Sequence, residues 1–196
     1  MSRFLVTIIL FMCCFGAVAQ QHKAEVIPID YTQPGSGMPF FRLKIIDTLK
    51  KTPVASKPET KKKKRQQEED DTILKGYFAE KDLDNKGNLF IMMFSPSCEH
   101  CEAQTALFEK NFDLFKNTKL VLVTNPRFQS YLPDFMKRVH TSQFPQMVVG
   151  IDDSDFIKET FLYQSLPQIN IYNSKRKLVK TYTGNIPIDS LKEFID

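Results

Sequence analysis

Two apolar runs dominate the pattern of this chain, one near its start and one near its middle. The central run, Asn88 to Phe94, reads Asn-Leu-Phe-Ile-Met-Met-Phe; continuous apolarity over this length predicts a strand covered on both faces. After Pro96 and Ser97 a helix is predicted from about Cys98 to Lys116. Ala103, Ala106, Leu107 and Leu114 form one of its stripes and Phe108, Phe112 and Phe115 another, so burial is expected on more than one side. Lys119 to Thr124 follows as a strand, then a Pro-interrupted helix ending near His140, a strand over Gln146 to Ile151 and a helix over Asp153 to Leu162. Gln168 to Tyr172 and Lys177 to Tyr182 alternate like hairpin strands around Asn173-Ser174-Lys175, and Ile188 to Ile195 reads as a last amphipathic helix. Parallel strands joined by helices and closed by an antiparallel hairpin give an α/β fold, a mixed sheet flanked by helices.

Ahead of this block, residues 20–50 read as an N-terminal β extension. Ala24 to Tyr31 is strand-prone, Gln33-Pro34-Gly35-Ser36-Gly37 is a turn, and Phe40 to Ile46 is strand-prone again, predicting a hairpin or two edge strands. Residues 51–72 have almost no apolar side chains and run from Lys61-Lys62-Lys63-Lys64-Arg65 into Glu68-Glu69-Asp70-Asp71. Such a stretch buries too little surface to offset its ordering entropy, and it reads as a charged insertion or linker. The expected organisation is a signal peptide over 1–19, the extension over 20–50, the insertion over 51–72 and one domain over 73–196.

The signal assignment rests on the first apolar run. Arg3, the apolar stretch Phe4 to Phe15, and Gly16-Ala17-Val18-Ala19 match a secretory leader cleaved near Ala19. Phe4 to Ala19 is shorter than the ~20 residues that span a bilayer as a helix, so membrane contact is expected only if the segment stays uncleaved. Met12 and Cys13 precede Cys14 where lipid attachment would need small residues. Export, most simply to a periplasm, removes one base and no acid, taking the net charge from +4 to +3. That is too little to imply nucleic acid as a partner. Two of the four cysteines leave with the leader, so Cys98 and Cys101 remain with each other, in a compartment where disulfides persist.

Cys98-Glu99-His100-Cys101 therefore carries the candidate chemistry. Cys98 at the first turn of a helix meets the positive end of the helix dipole and free backbone N–H groups, which stabilise a thiolate, the attacking species. His100 adds positive charge when protonated and Glu99 opposes it. Cys101, one turn on, is expected to be the more buried sulfur. Cys98 is read as nucleophile and Cys101 as resolving thiol, with no cofactor beyond the Cys98–Cys101 disulfide itself. Zinc needs about four ligands, and of His22, His100 and His140 only His100 lies near the pair. Covalent haem wants His directly after the second cysteine, where Glu102 stands. A purely structural disulfide across so small a loop restrains the unfolded chain little.

Phe94-Ser95-Pro96-Ser97-Cys98-Glu99-His100-Cys101 after an apolar strand, with Ser165-Leu166-Pro167 before a hairpin and final helix, resembles the thioredoxin fold, specifically exported thioredoxin-like proteins of the redoxin group. The likeness covers about Ile73 to Asp196, and the arm from Gly35 to Leu43 is similar to that group's N-terminal extension. The resemblance implies an exported thiol:disulfide oxidoreductase, acting on protein thiols and disulfides and recycled by a redox partner. It makes Cys98 the exposed nucleophile and Cys101 the resolving thiol, with Pro167 a cis-proline against the pair. Leu166 then offers its backbone to an extended substrate peptide, beside Ser97. Ser97 stands where the family often has Trp. The strand Phe90 to Phe94 has no buried acid to relay protons, so proton transfer from Cys101 would fall to Glu99, His100, Glu102 or water. A thioredoxin-fold binding or scaffold module with a non-catalytic disulfide is the alternative.

Elsewhere, Asp152-Asp153-Ser154-Asp155 lacks the Gly and closing Glu of a calcium loop and reads as a helix cap. Phe128, Tyr131, Phe135 and Phe144 are candidates for a substrate groove or for the core, and His140 reads as a charge partner at a helix C-terminus.

Overall fold

The computed structural model describes residues 28–46, 74–83, 87–162 and 165–195. The leader with Cys13 and Cys14, His22, the first half of the Ala24 to Tyr31 segment and the charged 51–72 stretch lie outside the described residues, and the second half of that segment, 28–31, forms no strand. Seven strands form one mixed sheet: β1 (Arg42–Ile46), β2 (Leu74–Ala79), β3 (Leu89–Phe94), β4 (Lys119–Thr124), β5 (Met147–Asp152), β6 (Gln168–Tyr172) and β7 (Leu178–Thr183). Their order is β2-β1-β5-β4-β3-β6-β7. β3, β4 and β5 run parallel, and β6 pairs antiparallel with β3 and with β7. The helices are α1 (Glu99–Lys110), α2 (Leu132–Arg138), α3 (Phe156–Thr160) and α4 (Ile188–Leu191). Among the described residues no helix is long and apolar enough to cross a membrane.

Period-two alternation divides the core between the two faces of the sheet. Phe90, Met92 and Phe94 of β3 pack with Leu120, Leu122, Ile169 and Ile171 under Cys101, Phe108 and Phe135. Leu89, Ile91 and Met93 join Val121, Val123 and Tyr172 against Phe156, Phe41 and Leu43 on the other face. β3 is buried along its whole length, as its unbroken apolar run predicts.

The extension pairs differently from a self-contained hairpin. β1 is antiparallel to β2 on one side and to β5 on the other, so it lies inside the sheet. Its close seat on β5 uses Gly150, where an added Cβ would stand 2.8 Å from Leu43 Cβ and 3.0 Å from the Lys44 carbonyl oxygen. The turn at Gln33–Gly37 docks on the β6–β7 hairpin through Gly35 N–H to Leu178 O at 2.7 Å and Leu178 N–H to Ser36 O at 2.8 Å.

Helix lengths also depart from the periodicity. α1 ends at Lys110, because the Asn111 amide donates back to Leu107 O at 2.8 Å and the chain tightens into a 3-10 turn over Phe112–Phe115. Only one face of α1 is buried, carrying Cys101, Gln104, Thr105 and Phe108. The other expected stripe fails: Ala103 and Ala106 are exposed, and Leu114 is 42% exposed. Polar Thr105 and Gln104 displace it inward because each finds a backbone partner, Thr105 donating to Cys101 O at 2.8 Å and Gln104 accepting from Ile186 N–H at 2.7 Å. α3 is shorter than Asp153 to Leu162, since the Asp152 carboxylate accepts from Ser154 and from Ile157 N–H and holds the intervening residues in a loop. The acidic run thus caps a helix, as expected, through its first member. The last helix covers Ile188–Leu191 and then tightens to 3-10 geometry.

Candidate functional site

Strand β3 ends where the chain must turn outward, and residues 95–97 make that turn. The Cys98 N–H donates to Ser95 O at 3.0 Å, and the Ser95 and Ser97 hydroxyls lie 3.1 Å apart. Arg138 of α2 clamps the turn from outside, donating to Pro96 O at 3.1 Å while pairing with Glu102 at 2.9 Å. This delivers Cys98 to the N-cap of α1.

At that position the half-buried Cys98 Sγ accepts from the Cys101 N–H at 3.3 Å, an amide of the first helical turn that it shares with Cys98 O at 3.1 Å. On its other side it makes a long, weak contact of 3.9 Å with Leu166 O. The Leu166–Pro167 bond is cis, and Pro167 O is taken by Gly184 N–H at 2.8 Å, fixing the start of β6 to the end of β7. Cys101 is fully buried beside Phe94 and Met92. Burial first, and then the neighbouring Cys98 thiol, push the Cys101 thiol up from its ordinary range.

The structure therefore brings Cys98, Cys101, Leu166 and Pro167 together. Ser97 is exposed at the rim, tied to Ser95. His100 is exposed and its Nδ1 lies 3.2 Å from the Asn185 amide. Glu99 is exposed and Glu102 belongs to the Arg138 pair, so among the described residues none of the three side chains hydrogen bonds Cys101. Of the candidate aromatics, Phe128 lines a groove with Leu166. Phe135 is core against Phe94 at 4.7 Å, Phe144 packs on Phe112 at 4.6 Å, and Tyr131 is largely exposed. His140 follows α2 in a left-handed conformation, outside the site. Among the described residues no three His, Cys, Asp or Glu side chains are grouped to hold a metal ion.

Sequence reasoning missed Arg138, Gln104 and Asn185. Nothing local marks Arg138 or Asn185, because each reaches the site from a distant segment. Gln104 alone carries a hint, a polar residue three positions after Cys101 on the helix face that must be buried.

No family model matches the chain, and no curated protein does either. Solved structures do. The thioredoxin domain of a thiol-disulfide oxidoreductase from Bacteroides vulgatus matches with a TM-score of 0.55 at 15% identity, over 84% of this chain and 99% of that one. A proposed thiol:disulfide interchange protein DsbE from Chlorobium tepidum matches with 0.55 at 14% identity, over 82% and 94%. A proposed protein disulfide isomerase from Bacteroides thetaiotaomicron matches with 0.57 at 14% identity, over 85% and 91%. At such identities the likeness concerns the path of the backbone, and on that ground the chain has a thioredoxin-like fold, its seven-stranded mixed sheet flanked by helices and its dithiol at the start of α1.

Proposed function

We propose that this protein is an exported thiol:disulfide oxidoreductase that reduces protein disulfides through Cys98 and Cys101. The observation that carries the reading is the asymmetry of the two sulfurs. Cys98 is reachable and faces a helix N-terminal N–H; Cys101 is buried one turn on and held towards the thiol form. A Cys98 thiolate attacks a substrate disulfide, forming a mixed disulfide and releasing one substrate thiolate. Cys101 then loses its proton and attacks Cys98 Sγ, releasing the second. The substrate gains two electrons and two protons, and the protein is left with a Cys98–Cys101 disulfide.

The buried Cys101 proton needs an acceptor. With Glu102 held by Arg138 and His100 by Asn185, water entering as the substrate leaves is the simplest carrier. Ser97 and the backbone of Leu166 border the place where the substrate cystine sits, Pro167 shapes it, and an external dithiol protein resets the pair. The leader-like N-terminus supports export, most simply to a periplasm.

Insulin reduction by the full chain, followed with a chemical reductant for recycling, tests this directly. Cys98→Ser is expected to abolish turnover and Cys101→Ser to accumulate mixed disulfides. Parent-like reduction by both variants would leave only the scaffold reading, a thioredoxin-fold module whose cysteines are not used.

A further inference from the structure

Adjoining the dithiol through Leu166 is a groove of about 260 Å³, lined by Phe94, Phe128, Phe161 and Leu166 together with Arg127 and Lys158. Phe94 is the residue that leads into the Cys98 turn, and Leu166 O is the atom that touches Cys98 Sγ. Leu166 thus borders both the groove and the nucleophile.

The charge of this groove is one-sided. Its nine lining residues include two cations and no acid. Arg127 and Lys158 are both exposed, and neither forms an ion pair among the described residues. The Arg127 guanidinium lies 4.6 Å from the Phe128 ring centroid, which steadies a cation over the apolar surface. Acids do stand nearby, in the cavity on the other side of Lys158. Asp153 there is neutralised by Arg42 at 2.8 Å and Lys44 at 3.2 Å. Asp152 is buried and spends its oxygens on Ser154 and Ile157. Asp155 is the exposed carboxylate left in that cavity, against two groove cations.

We infer that this groove selects the substrate: it takes an extended protein segment with an apolar side chain flanked by carboxylates, next to the cystine offered to Cys98. The apolar residue fills the space among Phe94, Phe128 and Phe161, and the carboxylates meet Arg127 and Lys158. This rests on the oxidoreductase reading and specifies its substrate class. Exposed pairs of this kind act chiefly on encounter rate and selection.

The test uses pre-reduced full chain in single turnover, so that no recycling partner enters. Three short peptides of equal length each carry one internal disulfide and a leucine flanked by Glu, Gln or Lys. Reduction of the Glu peptide is expected to be roughly fivefold faster than that of the Lys peptide at low salt, the range for two exposed ion pairs. The preference should collapse in about 0.5 M salt and invert in the double variant R127E/K158E. Equal rates in the parent, or an acidic preference that survives charge reversal, would overturn the inference. If all three peptides stay oxidised, the oxidoreductase reading fails by itself, and labelled peptides with Ser in place of Cys then decide the groove: preferential binding of the Glu peptide supports it, and equal binding ends it.

Discussion

Gly150→Ala adds a single methyl group to a 22.7 kDa protein, and its effect measures how firmly β1 belongs to the domain. The new Cβ would stand 2.8 Å from Leu43 Cβ, 3.0 Å from Ile45 Cδ1 and 3.0 Å from the Lys44 carbonyl oxygen. Ordinary carbon contacts lie near ~3.5–4.0 Å, so the strands must separate by several tenths of an ångström. Rotating a side chain cannot relieve the overlap, because one opposing atom is backbone and another is a Cβ. Separation strains the ladder in which Leu43, Lys44 and Ile45 face Asp152, Ile151 and Gly150, and it loosens Leu43, which is fully buried. Overpacking of this kind costs about 1–3 kcal/mol. For a chain of this size the midpoint of thermal unfolding should fall by roughly 3–10 °C. Circular dichroism melts supply the first measurement, and hydrogen exchange at Leu43 to Ile45 should show protection falling there more than in β3. A melt within about 1 °C of the parent, smaller than overpacking allows, would mean that β1 is not seated on β5 as described.

Three further outcomes follow from the site and its supports. Iodoacetamide at mildly alkaline pH should label Cys98 and spare Cys101 until the protein is unfolded, since Cys101 is fully buried and burial holds its thiol up; mass spectrometry showing equal labelling of both would contradict this. Glu109 is raised from 4.5 to about 7 by burial, so its contribution to stability is fully present below its unfolded value and is lost as pH rises through about 7. Urea midpoints of the parent should therefore decline from pH 5 to pH 8 more steeply than those of Glu109→Gln, and parallel profiles would refute the assignment. Gln168 ties the Thr160 carbonyl to Asn170 at 3.0 and 3.1 Å inside the core beside Pro167. Gln168→Met leaves that carbonyl without its donor and should cost about 1–3 kcal/mol in urea unfolding, whereas a loss below about 0.5 kcal/mol, the level of an ordinary surface change, would count against the network.

Legibility from sequence varied with the range of the interaction that decides each feature. β4 and β6 occupy the residues that their apolar and alternating patterns mark, because a strand in the middle of a sheet is specified by its own side chains. The dithiol was equally visible, since Cys98 and Cys101 are neighbours along the chain. Helix ends were not, because Asn111 and Asp152 end or delay helices by hydrogen bonds that hydrophobic periodicity does not register. The pairing of β1 with β5 was hidden for a different reason. More than 100 residues separate Leu43 from Asp152, and only the missing side chain at Gly150 lets them approach. Arg127 and Lys158 likewise share a groove only because β4 and β5 are parallel neighbours that release the chain on the same side.

The direction of β1 has a practical consequence. Because β1 runs opposite to β5, and β5 runs with β3, its last residue, Ile46, stands at the end of the sheet away from Cys98. Leu74 sits directly across from Ile46, so the chain leaves the sheet and rejoins it at one spot on that far pole. Joining two adjacent points costs only slowly more as the connecting length grows. A tag, a tether or a second module entered between Ile46 and Leu74 is thus anchored at the end of the sheet opposite Cys98, and the dithiol keeps its geometry.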